Sequence, residues 1–162
     1  MENTVLTSIS KQFGSPIYVY DAEKMEHQYN RLTQAFQNVQ QLRINYAVKA
    51  LSNVNILSFM HSLGAGLDTV SIQEVKLGLS AGVPAQMIIF TPNGVSLEEI
   101  EEAATLGVQI NIDNLSLLEQ FGSKNPDVPV CIRINPHVMA GGNANISVCL
   151  LYTSPSPRDQ LT

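Results

Sequence analysis

The chain has no cluster of basic residues, no long hydrophobic run and only two cysteines. Of its 162 residues, 14% are charged, and the formal net charge is −5. Without a basic patch, neither nucleic acid nor an anionic membrane surface is an expected partner. No stretch approaches the roughly 18 apolar residues of a membrane span, and the first residues lack a basic segment followed by an apolar one. These absences predict a cytoplasmic protein.

The two cysteines, Cys131 and Cys149, give neither a metal-ligand spacing nor a disulfide framework. No metal site is therefore predicted. Cys131 lies within the apolar segment VPVCIRI, and a small buried core residue is the simplest interpretation of it.

Segments typical of β-strands alternate along the chain with helical patterns. The strand-like segments are IYVY (17–20), LRINYAV (42–48), GLDTV (66–70), MIIFT (87–91), VQINI (108–112) and VPVCIRI (128–134). This alternation predicts an α/β protein with a parallel sheet that is buried on both faces.

The ends of the helical patterns carry capping signals. Ser96 and Glu99 have the S-x-x-E spacing of a capping box, which predicts the first turn of a helix. Four glycines are predicted to adopt the left-handed conformation that ends a helix: Gly64, Gly82, Gly107 and Gly122.

A polar or charged residue stands at or just beyond the C-terminal end of five predicted strands. These residues are Lys49, Asp68, Thr91, Asp113 and Arg133, at spacings of 19, 23, 22 and 20 residues. A period of about 20 residues with one strand and one helix per unit favours a (β/α) barrel, although an open sheet is not excluded. In a barrel this end of the strands carries the chemistry. For Asp113, the N-cap of the following helix is the preferred interpretation.

Lys49 ends the apolar segment INYAV and is followed by Ala50 and Leu51. Apolar neighbours favour the neutral amine of a lysine, which can attack a carbonyl group and form a Schiff base. From chemistry alone, three interpretations stay open. Lys49 binds pyridoxal phosphate (PLP), or it binds the substrate of an aldolase, or it is a rim lysine that reaches solvent or pairs with Asp68.

Four segments in order along the chain resemble the N-terminal half of one enzyme family. They are FGSPIYVYD (13–21), YAVKA (46–50), GAGLDTVSIQE (64–74) and RINPH (133–137). They are similar to segments of the barrel-type (fold type III) PLP decarboxylases, and the first and last favour the diaminopimelate decarboxylase branch. The resemblance covers residues 13–148 and implies the N-terminal portion, about half, of an alanine-racemase-like PLP-binding (β/α)8 TIM barrel.

The resemblance also implies roles for individual residues. The residues predicted to bind PLP are Lys49, Asp68, Ser71 and Arg133. Lys49 would hold the cofactor covalently, and it is a predicted catalytic residue together with Glu74. A structural alternative for Glu74 is an acidic residue in the first turn of a helix. Asn143 stands where many relatives have a histidine that stacks on the cofactor ring.

The reaction implied by the resemblance is the PLP-dependent decarboxylation of meso-2,6-diaminopimelate to L-lysine and CO2 in lysine biosynthesis. The partner would be a small-molecule amino-acid substrate, and the full-length protein is expected to be a homodimer. Four alternatives stay open: another fold type III decarboxylase of the ornithine or arginine type, a PLP-dependent racemase, a lysine-imine aldolase, and a non-catalytic barrel homologue that acts as a binding partner.

Three regions are predicted along the chain. Residues 1–20 would join a second β-domain, whose C-terminal part is absent here, and residues 21–148 would form the partial barrel. Residues 149–162 have two Ser-Pro pairs and no periodic pattern. They are interpreted either as a disordered tail or as the translation of a transposase adapter from a sequencing library. A chain that ends in this way is expected to lack the family's phosphate-binding segment and to be inactive by itself.

Overall fold

A computed structural model of the protein describes residues 2–134. The chain divides into two compact units at Leu42 and Arg43. The first unit contains helices α1 (Asn3–Phe13) and α2 (Ala22–Ala35). Helix α2 begins at Asp21, whose carboxylate accepts a hydrogen bond from the Lys24 backbone N–H over 3.1 Å. This hydrogen bond is the main cause of the lowered pKa of Asp21.

The predicted strand IYVY at 17–20 is wrong. These residues form an irregular segment between α1 and α2 and pair with none of the described strands, and Tyr18 is 90% exposed. A segment rich in β-formers becomes a strand only when a neighbour satisfies its backbone N–H and C=O groups. Helix α1 is a feature that the sequence patterns did not predict.

The second unit contains a five-stranded parallel sheet with its strands in chain order. The strands are β1 (Asn45–Ala47), β2 (Gly66–Thr69), β3 (Ile88–Phe90), β4 (Gln109–Ile112) and β5 (Val130–Ile132). The connecting helices are α3 (Val54–Ser62), α4 (Ile72–Ser80), α5 (Leu97–Thr105) and α6 (Leu115–Lys124). Strands in unbroken chain order are typical of a (β/α) barrel, whereas a doubly wound sheet reverses its order. The predicted parallel α/β arrangement is confirmed.

Most helix ends follow the capping signals. Ser96 and Glu99 form the predicted capping box. Gly64, Gly82 and Gly107 have φ values of 101°, 85° and 75°, as predicted. The prediction for Gly122 is wrong, because α6 continues to Lys124 before its hydrogen bonding ends. No helix within residues 2–134 has the length and apolar character required to cross a bilayer.

The core lies where the helices pack on the sheet. The side chains of β2 alternate, so that Leu67 and Thr69 are buried while Asp68 between them is half-buried. Helix α4 lies so close to β2 that a Cβ atom on Gly78 would stand 2.6 Å from Leu67 Cδ1. The buried core residues include Leu67, Ile88, Phe90, Ile110 and Ile112 of the sheet and Val75, Ile100 and Phe121 of the helices.

The opposite side of the sheet is more exposed and is called the open face here. It carries Asp68, Ile89, Asn111 and Cys131, each of which is at least partly exposed. The prediction that Cys131 is a core residue is wrong, because its free thiol is exposed on this face. In the described part of the chain, β5 pairs with β4 alone, so the backbone groups along its other edge have no strand partner there.

Candidate functional site

Polar side chains from three neighbouring strands meet at the C-terminal edge of the sheet. Thr91, directly after β3, donates a hydrogen bond from Oγ1 to Asp68 Oδ1 of β2 over 3.0 Å. Asn111 of β4 donates from Nδ2 to Thr91 Oγ1 over 2.9 Å. Because a carboxylate only accepts hydrogen bonds, the hydroxyl must donate to Asp68 and the amide must supply its N–H. We call these three residues the Asp68 relay.

A buried carboxyl group, that of Asp113, lies directly after β4, the strand that carries Asn111. Asp113 is only 5% exposed, and its Oδ2 has no hydrogen-bond partner among the described residues. Burial raises the pKa of Asp113, while the positive charge of Arg133 acts in the opposite direction. Arg133 directly follows β5, and its backbone N–H donates to the Ile112 carbonyl over 2.9 Å. The C-terminal edge of the sheet therefore carries a carboxyl group after β4, from Asp113, and a guanidinium group after β5, from Arg133.

The prediction that Asp113 caps α6 is wrong. The cap is Asn114, whose side chain accepts a hydrogen bond from the Leu117 N–H over 3.0 Å. Asp113 immediately follows strand β4 and is buried at its end. A side chain buried there is unavailable to the first turn of the helix, and the next residue takes that role instead.

Lys49 lies in the short 3-10 helix Val48–Ala50 that follows β1. Ala47, two residues earlier, is in register with Asp68 on β2, so Lys49 follows β1 at the same edge of the sheet. The prediction that apolar neighbours enclose Lys49 is wrong among the described residues, because the Lys49 side chain is exposed. Val48 is the buried residue of this short helix. Within residues 2–134, Lys49 forms no ion pair with Asp68; the ion pairs there are Lys76–Glu102 and Lys124–Glu101.

Ser71 and Glu74 begin helix α4. The Ser71 hydroxyl accepts a hydrogen bond from the Glu74 N–H over 3.2 Å, and Glu74 Oε2 accepts one from the Val70 N–H over 2.8 Å. Both side chains therefore stabilise the first turn of α4, although this is not a capping box, because Glu74 binds the N–H of Val70 and not that of the N-cap Ser71. Their roles toward the cofactor and the catalytic lysine stay predictions.

The sequence reasoning did not single out Asn111. Its signal is the alternation in VQINI, where Gln109 and Asn111 are polar and the intervening isoleucines are buried. This period of two predicts a polar strand face, but not the contact with Thr91. Asn143 and the predictions for residues 149–162 lie outside the described residues.

Comparison with known proteins identifies the family. Residues 22–150 match the family described as "Pyridoxal-dependent decarboxylase, pyridoxal binding domain". The chain belongs to this family. Its membership confirms the predicted PLP cofactor and the predicted class of PLP-dependent decarboxylases.

Relatives from bacteria are about one-third identical to the chain over the residues that align. Diaminopimelate decarboxylase of Pseudomonas fluorescens is 34% identical over 157 residues, covering 92% of this chain and 37% of the relative. Diaminopimelate decarboxylase of Campylobacter jejuni is 35% identical over 147 residues, covering 88% of this chain and 36% of the relative. The chain thus spans well under half the length of the relatives that it matches.

Solved structures confirm the fold class. Diaminopimelate decarboxylase from Helicobacter pylori complexed with L-lysine superposes with a TM-score of 0.81 at 30% identity, covering 96% of this chain and 41% of that one. Lysine/ornithine decarboxylase from Vibrio vulnificus complexed with putrescine gives a TM-score of 0.75 at 24% identity, covering 98% and 39%. The second similarity supports the fold alone. The predicted fold, part of a PLP-binding barrel, is confirmed.

The residues at the sheet edge fit the chemical groups of PLP. The exposed amine of Lys49 is accessible to the PLP aldehyde. The guanidinium of Arg133 is suited to an anionic oxygen of the cofactor. The buried Asp113 Oδ2 has no partner among the described residues and could accept a hydrogen bond from the cofactor.

Proposed function

We propose that this chain is the pyridoxal-binding part of an enzyme that decarboxylates meso-2,6-diaminopimelate to L-lysine and CO2, a step of lysine biosynthesis. The observation that carries the proposal is that an exposed lysine after β1, a carboxylate on β2 and an arginine after β5 all lie at the C-terminal edge of one parallel sheet. The choice of substrate is supported by the names of relatives that are 32% to 35% identical to the chain.

In this proposal, each predicted residue acts through its own chemistry. Lys49 holds the cofactor by a covalent bond from Nζ, and Arg133 donates hydrogen bonds to an anionic oxygen of the ring. Asp68 binds the cofactor through its carboxylate, and Ser71 through its hydroxyl. Glu74 moves a proton to or from Nζ of Lys49. When bound, PLP supplies an electron-withdrawing ring that weakens the bond to the substrate carboxylate.

We propose further that the 162-residue chain does not catalyse this reaction by itself, since it spans 37% of the length of the Pseudomonas fluorescens relative. Groups that bind the cofactor phosphate and the ring nitrogen would come from elsewhere in a longer protein. That protein is proposed to act as a homodimer in the cytoplasm on a small amino-acid substrate.

The first experiment locates the covalent bond. The chain is incubated with PLP, reduced with borohydride, digested and examined by peptide mass spectrometry. Lys49 should carry most of the label among the five lysines. Lys49→Arg should abolish that label, whereas Lys76→Arg, on the exposed face of α4, should leave it unchanged. Equal labelling of all five lysines would contradict a specific site.

The second experiment measures CO2 release from meso-2,6-diaminopimelate, with ornithine and arginine as comparison substrates. The 162-residue chain with PLP should release none above the rate without protein. Catalytic turnover by this chain would refute the proposed inactivity, and turnover of ornithine or arginine alone would refute the proposed substrate.

A further inference from the structure

Asp68 is held through one of its two carboxylate oxygens. Oδ1 accepts the hydrogen bond from Thr91, and Thr91 in turn accepts from Asn111. Three strands thus contribute to the orientation of one carboxylate. Since Oδ1 is engaged, Oδ2 is the oxygen that is left for a ligand.

The side-chain contacts of the relay are not needed to hold the strands together. β2 and β3 are already joined by their ladder, and the Thr91 backbone N–H donates to the Thr69 carbonyl over 2.8 Å. β3 and β4 are joined in the same way. A valine at position 91 would preserve both ladders and nearly the same volume. The hydroxyl therefore contributes something other than strand pairing.

The orientation of Asn111 points to the same conclusion. Its Nδ2 donates to Thr91, which leaves Oδ1 buried and without a partner among the described residues. A buried carbonyl oxygen without a hydrogen bond is unfavourable, and an apolar residue at this position would avoid that cost. This cost is explained if the hydrogen bond from Asn111 Nδ2 to Thr91 Oγ1 is needed to hold Thr91 in place.

We propose that Thr91 and Asn111 are positioning residues, which fix the Asp68 carboxylate so that Oδ2 serves the PLP bound at Lys49. This inference rests on the proposed function. Neither Thr91 nor Asn111 is assigned a contact with the cofactor. Their contribution passes through Asp68, and it should disappear when Asp68 is removed.

The test uses the 162-residue chain and measures the PLP concentration that gives half-maximal borohydride-trapped label at Lys49. Label at Lys76 in the same sample corrects for unspecific reaction. Thr91→Val should raise this concentration about three- to tenfold, because a hydrogen bond to a charged group is lost. Thr91→Ser retains the hydroxyl and should restore the wild-type value. In an Asp68→Ala background, Thr91→Val should have no further effect.

A second readout needs no cofactor. The side-chain NH2 resonances of Asn111 in the 1H–15N spectrum should move in Thr91→Val and stay in place in Thr91→Ser, because only serine retains the acceptor oxygen. If Thr91→Val leaves these resonances unmoved, the relay does not exist in solution and the inference is overturned.

The two readouts separate failure of the inference from failure of the proposed function. Two outcomes overturn the positioning role alone. In the first, wild-type Lys49 is labelled specifically and Thr91→Val does not change the half-maximal PLP concentration. In the second, Thr91→Val has the same effect with and without Asp68. An intact relay by NMR without specific label at wild-type Lys49 refutes the proposed function, and with it the role inferred for the relay.

Discussion

The Ser71 hydroxyl accepts a hydrogen bond from the Glu74 backbone N–H over 3.2 Å, and this contact fixes the first turn of α4. The Glu74 carboxylate binds the Val70 N–H in return. Two residues that the family resemblance implies for cofactor binding and catalysis thus also have a structural task. Substitutions must separate the two contributions.

Glu74 can be tested with a pair of variants. Glu74→Ala removes the acceptor for the Val70 N–H and should lower the free energy of unfolding by about 1 kcal/mol. Glu74→Gln keeps an acceptor oxygen, so urea denaturation should show a decrease in the free energy of unfolding that is less than half as large. If the charge serves Lys49, Glu74→Gln should still reduce PLP label at Lys49. A glutamine variant with wild-type stability and label would restrict Glu74 to the helix start.

Ser71 has a matched control in Ser96, since both are N-caps whose hydroxyls accept from the N–H three residues later. Ser71→Ala and Ser96→Ala should each lower the free energy of unfolding by about 1 kcal/mol. Only Ser71→Ala should also weaken PLP labelling of Lys49. The same labelling in both variants would argue that Ser71 is a cap and nothing more.

Asp113 gives a pH-dependent prediction. Burial raises its pKa above the ordinary value of 3.8, so the folded chain binds this proton more tightly than the unfolded chain. Ionisation of Asp113 therefore destabilises the fold as the pH rises from about the ordinary value through the raised one. Asp113→Asn removes this effect. The free energy of unfolding of the variant, relative to that of the wild type, should therefore increase as the pH rises through that interval.

The measurement is urea denaturation of both proteins at several pH values between about 3.5 and 7. Asp21 and Glu98, whose pKa values are lowered, are present in both proteins and cancel in the difference. A difference that stays constant with pH would contradict the raised pKa of Asp113.

Gly78 and Gly122 lie inside helices but in opposite surroundings. A Cβ on Gly78 would stand 2.6 Å from Leu67 Cδ1, whereas one on Gly122 would have no neighbour within 4 Å. Gly78→Ala should therefore destabilise the chain by about 1–3 kcal/mol through overpacking. Gly122→Ala should stabilise it by about 0.5–1 kcal/mol, because alanine is the better helix former. Thermal unfolding compares the two, and equal effects would contradict the packing argument.

Several elements were predictable because their signals are local. Gly64, after α3, adopts a left-handed backbone conformation, because a residue without a side chain does so at little cost. The capping box of α5 depends on two residues three positions apart. The alternation of strands and helices determines the parallel sheet, since parallel neighbours need a crossover connection.

Three of the incorrect predictions depend on contacts with distant parts of the chain. IYVY has the composition of a strand but finds no described partner, and Cys131 has apolar neighbours in sequence but lies on the open face. Asp113 and Asn114 are both good caps by type, and burial of Asp113 decided between them. Local composition does not contain this information.

Local patterns of residues were enough to predict the parallel α/β fold, most helix ends and the sheet edge at which polar residues gather. Which of these polar residues touch depends on how the strands pack in three dimensions. Thr91 and Asp68 are 23 residues apart, and Asn111 and Thr91 are 20 apart, yet each pair is hydrogen-bonded. Periodicity assigns a residue to a strand and a face, but strand register and side-chain geometry determine whether a donor comes within about 3 Å of an acceptor.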